Sequence, residues 1–156
     1  MANADAVAAI QAWTRLDQAL TAFNRELDRN HGVTGAQLAI LRRVHEWGPQ
    51  VRLSELRSRL VMHPATLGQL VDRLAARDLV DLTADAIDRR RRLVELTDHG
   101  YKVMATAPLA GPVRLGEIEA DPGRLRRLTR ALTDAVDLFG LDGYVADRSG
   151  PVPHHE

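Results

Sequence analysis

The chain has 156 residues, 45% of them hydrophobic and 27% charged, and its 21 basic residues balance 21 acidic ones. That composition fits one globular domain with its own core, and it excludes a polycation that holds nucleic acid by bulk charge. The absence of cysteine excludes disulfides, thiol redox sensing and Cys-ligated zinc; with no apolar leader and no run near eighteen apolar residues, the expected location is cytoplasmic and no membrane partner is expected.

From Ala4 to Asn30 the apolar residues Ile10, Trp13, Leu16, Leu20, Phe23 and Leu27 recur at three and four residues, the stripe of an amphipathic helix. Gly32 ends it, and Thr34 caps a second helix whose expected inner face is Leu38, Ala39, Leu41 and Val44. Gly48-Pro49 stops that helix. Val51–Leu53 reads as a short strand and Ser54–Leu60 as a short helix. Val61-Met62-His63 is a turn, and Pro64 opens a helix to about Arg77 with Leu67, Leu70, Val71 and Leu74 inward.

Leu79–Thr83 and Arg92–Leu96 alternate apolar and polar residues as half-buried strands do, and Arg89-Arg90-Arg91-Arg92 lies between them. This is a hairpin with a cationic tip. A helix, a turn, a helix and an arginine-tipped hairpin make a winged helix, which places one helix in a DNA groove and a basic loop beside it. Charge follows the same division, because Arg52–Arg92 holds nine arginines against six carboxylates, a local surplus of +3 in a neutral chain.

Thr97 caps a further helix to about Ala107, interrupted at Pro108, Gly111 and Pro112. A last helix follows Asp121-Pro122-Gly123 and carries Leu125, Leu128, Leu132, Val136 and Phe139. The fold class expected is mainly α (α+β). Residues 33–97 form the winged helix-turn-helix, and 1–32 with 98–142 form dimerisation helices. Residues 143–156 are a tail with little to bury, expected to be mobile. The dimerisation stripes are Ile10, Trp13, Leu16 and Leu20 on the first helix, and Leu125, Leu128, Leu132 and Phe139 on the last. A C2 dimer built on them presents two recognition helices one DNA turn apart, so its partner is a pseudo-palindromic duplex.

These residues resemble the MarR family of bacterial transcription regulators along nearly the whole chain. Asp88-Arg89-Arg90 followed by Leu96-Thr97-Asp98-His99-Gly100 is similar to the family's wing signature, D-x-R and then L-T-x-x-G. Leu70-Val71-Asp72-Arg73-Leu74 resembles the end of its recognition helix, and Gly32-Val33-Thr34 through Leu38, Leu41 and Gly48 resembles its second helix. The resemblance implies a homodimer, a recognition helix in the major groove and Arg90 in or over the minor groove. It implies base-facing residues His63, Pro64, Ala65, Thr66, Gly68 and Gln69, with Arg73, Arg89 and Arg91 as further DNA contacts. It also implies a repressor relieved by a small aromatic or phenolic effector, for which Trp13, His31, His45 and Trp47 are the candidate lining.

The chain departs from the family pattern at four places. Val61 and Asp78 stand where glycine is usual; a β-branched residue at positive φ is strained, so the Val61 turn is expected to be built differently, whereas Asp tolerates that region better. Gly68-Gln69 replaces Thr-Arg, placing a flexible residue within a helix at a cost of about 1 kcal/mol against Ala. These departures and the neutral charge leave open a second reading, a protein-interaction or sequestering module on the same scaffold. No phosphate loop, nucleophile elbow or carboxylate pair supports an enzyme. No cofactor is expected, and His31, His45 and His99 lack the paired spacing of a metal site.

Overall fold

The computed structural model describes residues 3–60 and 64–145. Asn3 caps α1 (Ala4–His31) by accepting the Asp5 amide at 3.0 Å, and Gly32 at φ 68 ends it in the left-handed region. Thr34 and Gln37 close a reciprocal capping box on α2 (Gly35–Trp47). Then come β1 (Gln50–Arg52), α3 (Leu53–Arg59), α4 (Pro64–Ala76), β2 (Val80–Ala84), β3 (Arg92–Leu96), α5 (Asp98–Thr106) and α6 (Pro122–Leu138). Single 3-10 turns follow α5 and α6 at Pro112–Gly116 and Asp142–Tyr144. The fold is mainly helical with one small sheet, as expected.

The sheet runs β1-β3-β2, antiparallel throughout, with Val51 opposite Val94 and Leu82 opposite Val94 on the other side. The wing's returning strand is therefore central, and the short β1 covers its outer edge. Val51, Val80 and Val94 turn inward onto Leu41, Val44, Leu56, Leu67, Val71 and Leu74. At about 25 cal/mol per Å² of apolar surface removed from water, these contacts dominate the stability of the winged helix.

Several boundaries move by one residue from the sequence expectation. The strand begins at Val80 and not Leu79, because Leu79 belongs to the cap of α4. Its amide donates to Leu74 O at 2.9 Å and the Asp78 amide to Ala75 O at 3.0 Å, a Schellman motif with Asp78 at φ 58. Asp replaces the usual glycine there because its short polar side chain tolerates the left-handed region. Likewise β1 begins at Gln50, and Leu53, expected to end the strand, opens α3 instead.

Ala39, expected to face inward, is only half-buried, whereas Ile40 is fully buried. The reason is position: α2 is packed by α1, α4, α5 and the sheet, so more than one of its faces is covered. The Val61 turn lies outside the described residues, as do residues 146–156 of the expected tail; 142–144 of the segment before them form a 3-10 turn.

Candidate nucleic-acid interface

Helix α4 opens on Pro64, whose fixed φ suits the first helical position. Its inner face is Leu67, Val71 and Leu74, with Leu70 half-buried at the edge. The 3.6-residue period then leaves Ala65, Thr66, Gln69, Asp72 and Arg73 on the outer face, all exposed. Gly68 sits beside them, and a Cβ built there meets nothing within 4 Å. No packing contact demands this glycine. His63 lies outside the described residues.

The loop between β2 and β3 is held by two aspartates in series. The Asp85 amide donates to Arg91 O at 2.8 Å and closes the neck. The nearly buried Asp85 carboxylate accepts the Ile87 amide at 3.0 Å and stands 3.7 Å from Arg52 Nε. Asp88 accepts the Arg90 amide at 3.1 Å and pairs with Arg91 Nε at 3.4 Å. Such aspartate turns order a short loop locally.

The four arginines therefore have different employment. Arg92 bridges to Asp72 on α4 at 3.2 Å, tying the wing to the helix beside it, and Arg91 is drawn to Asp88. Arg89 and Arg90 are exposed, and neither makes an ion pair with a described residue. Asp72 pairs with Arg92, and Arg73 makes no ion pair with a described residue. Arg77 turns away from this face and donates to the Gly32 carbonyl at the end of α1.

The four residues expected to line an effector crevice are not brought together. Trp13 and His31 share α1, about 27 Å apart along its axis at about 1.5 Å per residue. Trp13 packs edge-on against Phe139 with ring centroids 5.8 Å apart. Trp47 lies against the core beneath the Arg59 guanidinium, which is 4.6 Å from its ring centre. His45 lines a crevice. It meets Tyr101 at 5.4 Å in a cleft of about 420 Å³ between α2, the end of β3 and the start of α5, with Glu95 and Asp98 on its walls.

Ile10, Trp13 and Leu16 are exposed on α1, as are Leu128, Leu132 and Phe139 on α6 and the residue after it. Leu20 and Leu125 are half-buried. Helix α6 contains no buried residue, although it carries a full apolar stripe.

Sequence reasoning missed Asp85, Asp88, Asp72 and Arg52 as organisers of the wing. The Asp-Ala-Ile-Asp spacing carries a turn signal that could have exposed the first two; the pairing of Asp72 with Arg92 has no local signal.

A MarR family model matches residues 31–91. The chain is 38% identical over 72 residues to the HTH-type transcriptional repressor NicR of Pseudomonas putida, a match spanning 46% of this chain and 45% of that protein. It is 35% identical over 97 residues to the transcriptional regulator HosA of Escherichia coli, across 60% of this chain and 71% of that protein. Among solved structures, the PcaV transcriptional regulator of Streptomyces coelicolor, crystallised with its natural ligand, superposes with a TM-score of 0.61 at 27% identity, covering 80% of this chain and 91% of that one.

Proposed function

The chain belongs to the MarR family of transcription regulators, DNA-binding proteins without enzymatic activity, and we propose that it acts as a homodimeric repressor of the promoters whose operators it binds. Residues 33–97 form the DNA-binding unit, and 1–32 with 98–142 form the dimerisation helices. The repressor sense follows NicR, and the site of action is the cytoplasm. The observation that carries the reading is the ordered wing, where Arg89 and Arg90, neither in an ion pair with a described residue, project beside the exposed face of α4.

In this arrangement Ala65, Thr66 and Gln69 face the major groove, and His63 and Pro64 are proposed as further base contacts. The bare surface at Gly68 lets the DNA approach closely. Gln69 can pair with adenine, Thr66 can contact a thymine methyl, and Arg73 and Arg89 neutralise phosphates. Arg90 enters the minor groove, where narrow A·T-rich stretches attract arginine. Arg91 and Arg92 position the wing.

The test is binding to duplex DNA from upstream of the gene, against scrambled DNA and across a salt series. Arg90→Ala is expected to weaken operator binding by about 1–3 kcal/mol per wing while leaving the circular dichroism spectrum and the particle mass unchanged. Equal, weak binding to both duplexes, unaffected by the variant, would instead make the fold a scaffold for protein partners.

Regulation is proposed to enter through the His45–Tyr101 crevice, following PcaV, whose crystal structure holds a natural ligand. An aromatic phenol fits its chemistry, because the rings stack and the hydroxyl donates to Glu95 or Asp98. The crevice joins the wing strand to α5, so an occupant touches both the DNA-binding unit and the path to the dimer helices. Coupling of this kind is reciprocal: the factor by which the phenol weakens operator binding equals the factor by which operator weakens phenol binding. Titration of a panel of uncharged phenols with and without operator checks this, and identical ligand affinity in both arms would end the proposal.

A further inference from the structure

We propose that Ile87 makes the wing selective for A·T pairs by packing into the minor groove beside Arg90; the proposal rests on the DNA-binding reading above. Ile87 is 93% exposed, the most exposed large apolar side chain among the described residues. Single exposed apolar residues are common and ordinarily carry no meaning. This one differs in how it is held. Its amide donates to the Asp85 carboxylate at 3.0 Å, and Asp85, only 7% exposed, stands 3.7 Å from Arg52 in β1. The Asp85–Arg91 backbone bond closes the loop below it at 2.8 Å, and Asp88 fixes the turn above it. A nearly buried carboxylate thus braces the backbone of a β-branched residue that has no packing partner of its own.

The setting identifies the partner. Ile87 shares the tip with Arg89 and Arg90, neither paired to a described residue, and the loop is ordered before contact, so little entropy is lost on binding. Apolar side chains beside arginine are the equipment of proteins that enter the minor groove. The walls of that groove are deoxyribose faces, which suit an isoleucine. Its floor distinguishes the base pairs, because a G·C pair projects the guanine N2 amino group while an A·T pair leaves the floor open. An isoleucine pressed onto the floor collides with that amino group and cannot hydrogen-bond to it. Arg90 supplies attraction to a narrow groove, and Ile87 supplies rejection of guanine.

The experiment uses the full chain and a duplex recovered by selection from a randomised pool. At the positions beneath the wing, A·T pairs are replaced either by G·C or by inosine·C, which has the major-groove face of G·C but lacks the minor-groove amino group. Wild type is expected to tolerate inosine·C and to lose about tenfold in affinity on G·C. Ile87→Ser is expected to bind both duplexes within about twofold, with the salt dependence of wild type, because no charge is removed. Arg90→Ala, in contrast, is expected to flatten the salt dependence. An Ile87→Ser variant that still discriminates against G·C overturns the proposal, as does a wild type that penalises inosine·C like G·C. If wild type selects no sequence from the pool, the DNA-binding reading falls, and this proposal falls with it.

Discussion

Gly100→Ala is expected to destabilise the protein by about 3 kcal/mol, lowering the midpoint of thermal unfolding by roughly 6–12 °C. Helix propensity alone gives the opposite sign, since Ala in place of Gly within a helix gains about 1 kcal/mol. Geometry decides the contest. A Cβ at position 100 would lie 1.9 Å from the Leu79 carbonyl oxygen and 2.9 Å from its carbon. The obstacle is backbone, so no rotamer change relieves it. The same carbonyl accepts the Thr97 amide at 3.3 Å. Thr97 Oγ1 donates to Asp78 O at 2.6 Å and caps α5 by accepting the Gly100 amide at 2.9 Å. Moving α5 away to make room breaks this knot, where the end of α4, the wing and α5 meet. Urea and thermal unfolding of the variant measure the effect; a change smaller than about 1 kcal/mol would show that the knot yields cheaply.

The second large effect is expected from Leu128→Glu combined with Leu132→Glu: a monomer at micromolar concentration and a loss of about 100-fold or more in operator affinity. No residue of helix α6 is fully buried within its own chain, and Leu128 and Leu132 continue a surface formed by Ile10, Trp13 and Leu16 on α1. The Trp13–Phe139 contact joins the two helices. A partner protomer that covers this surface would bury four carboxylates per dimer in the double variant, each costing several kcal/mol without a counter-charge. The core of the winged helix lies elsewhere, so the variant keeps its fold. On the proposed dimeric reading, the operator loss comes from uncoupling two half-site contacts. Sedimentation measures the mass, and a variant that remains dimeric would place the interface on another surface.

Both predictions concern residues that stood out in the sequence, but for different reasons. Leu128 and Leu132 belong to a stripe legible from period alone, and both are exposed. Gly100 belonged to a recognisable L-T-x-x-G pattern without a stated cause. Its cause is a carbonyl 21 residues earlier in the chain, at Leu79.

The candidate site divides in the same way. The position of the wing, the face of α4 and the arginine cluster were legible, because strands, helices and turns report themselves within a few residues. The tasks of the individual arginines were not. Arg89 through Arg92 are four equal letters in a row, yet two hold the wing in place and two make no ion pair with a described residue. The effector candidates lie apart within the chain for a related reason: aromatic residues and histidines were gathered by chemical type, and nothing in the spacing of Trp13, His31, His45 and Trp47 reports distance through space.

The amino-acid sequence by itself determined the element order, the caps at Thr34 and Thr97, the basic hairpin and the family to which the chain belongs. All of these rest on local periodicity, turn chemistry and short motifs. Only the tertiary structure decided that Arg92 holds Asp72, 20 residues away, and that Arg77 holds the Gly32 carbonyl, 45 residues away. It alone put Trp47 beneath Arg59 and joined His45 to Tyr101 in the crevice. Which groups remain free to meet DNA depends on such non-local partners. A side chain's partner is set by where the whole chain packs, and the period of a helix or strand carries no record of it.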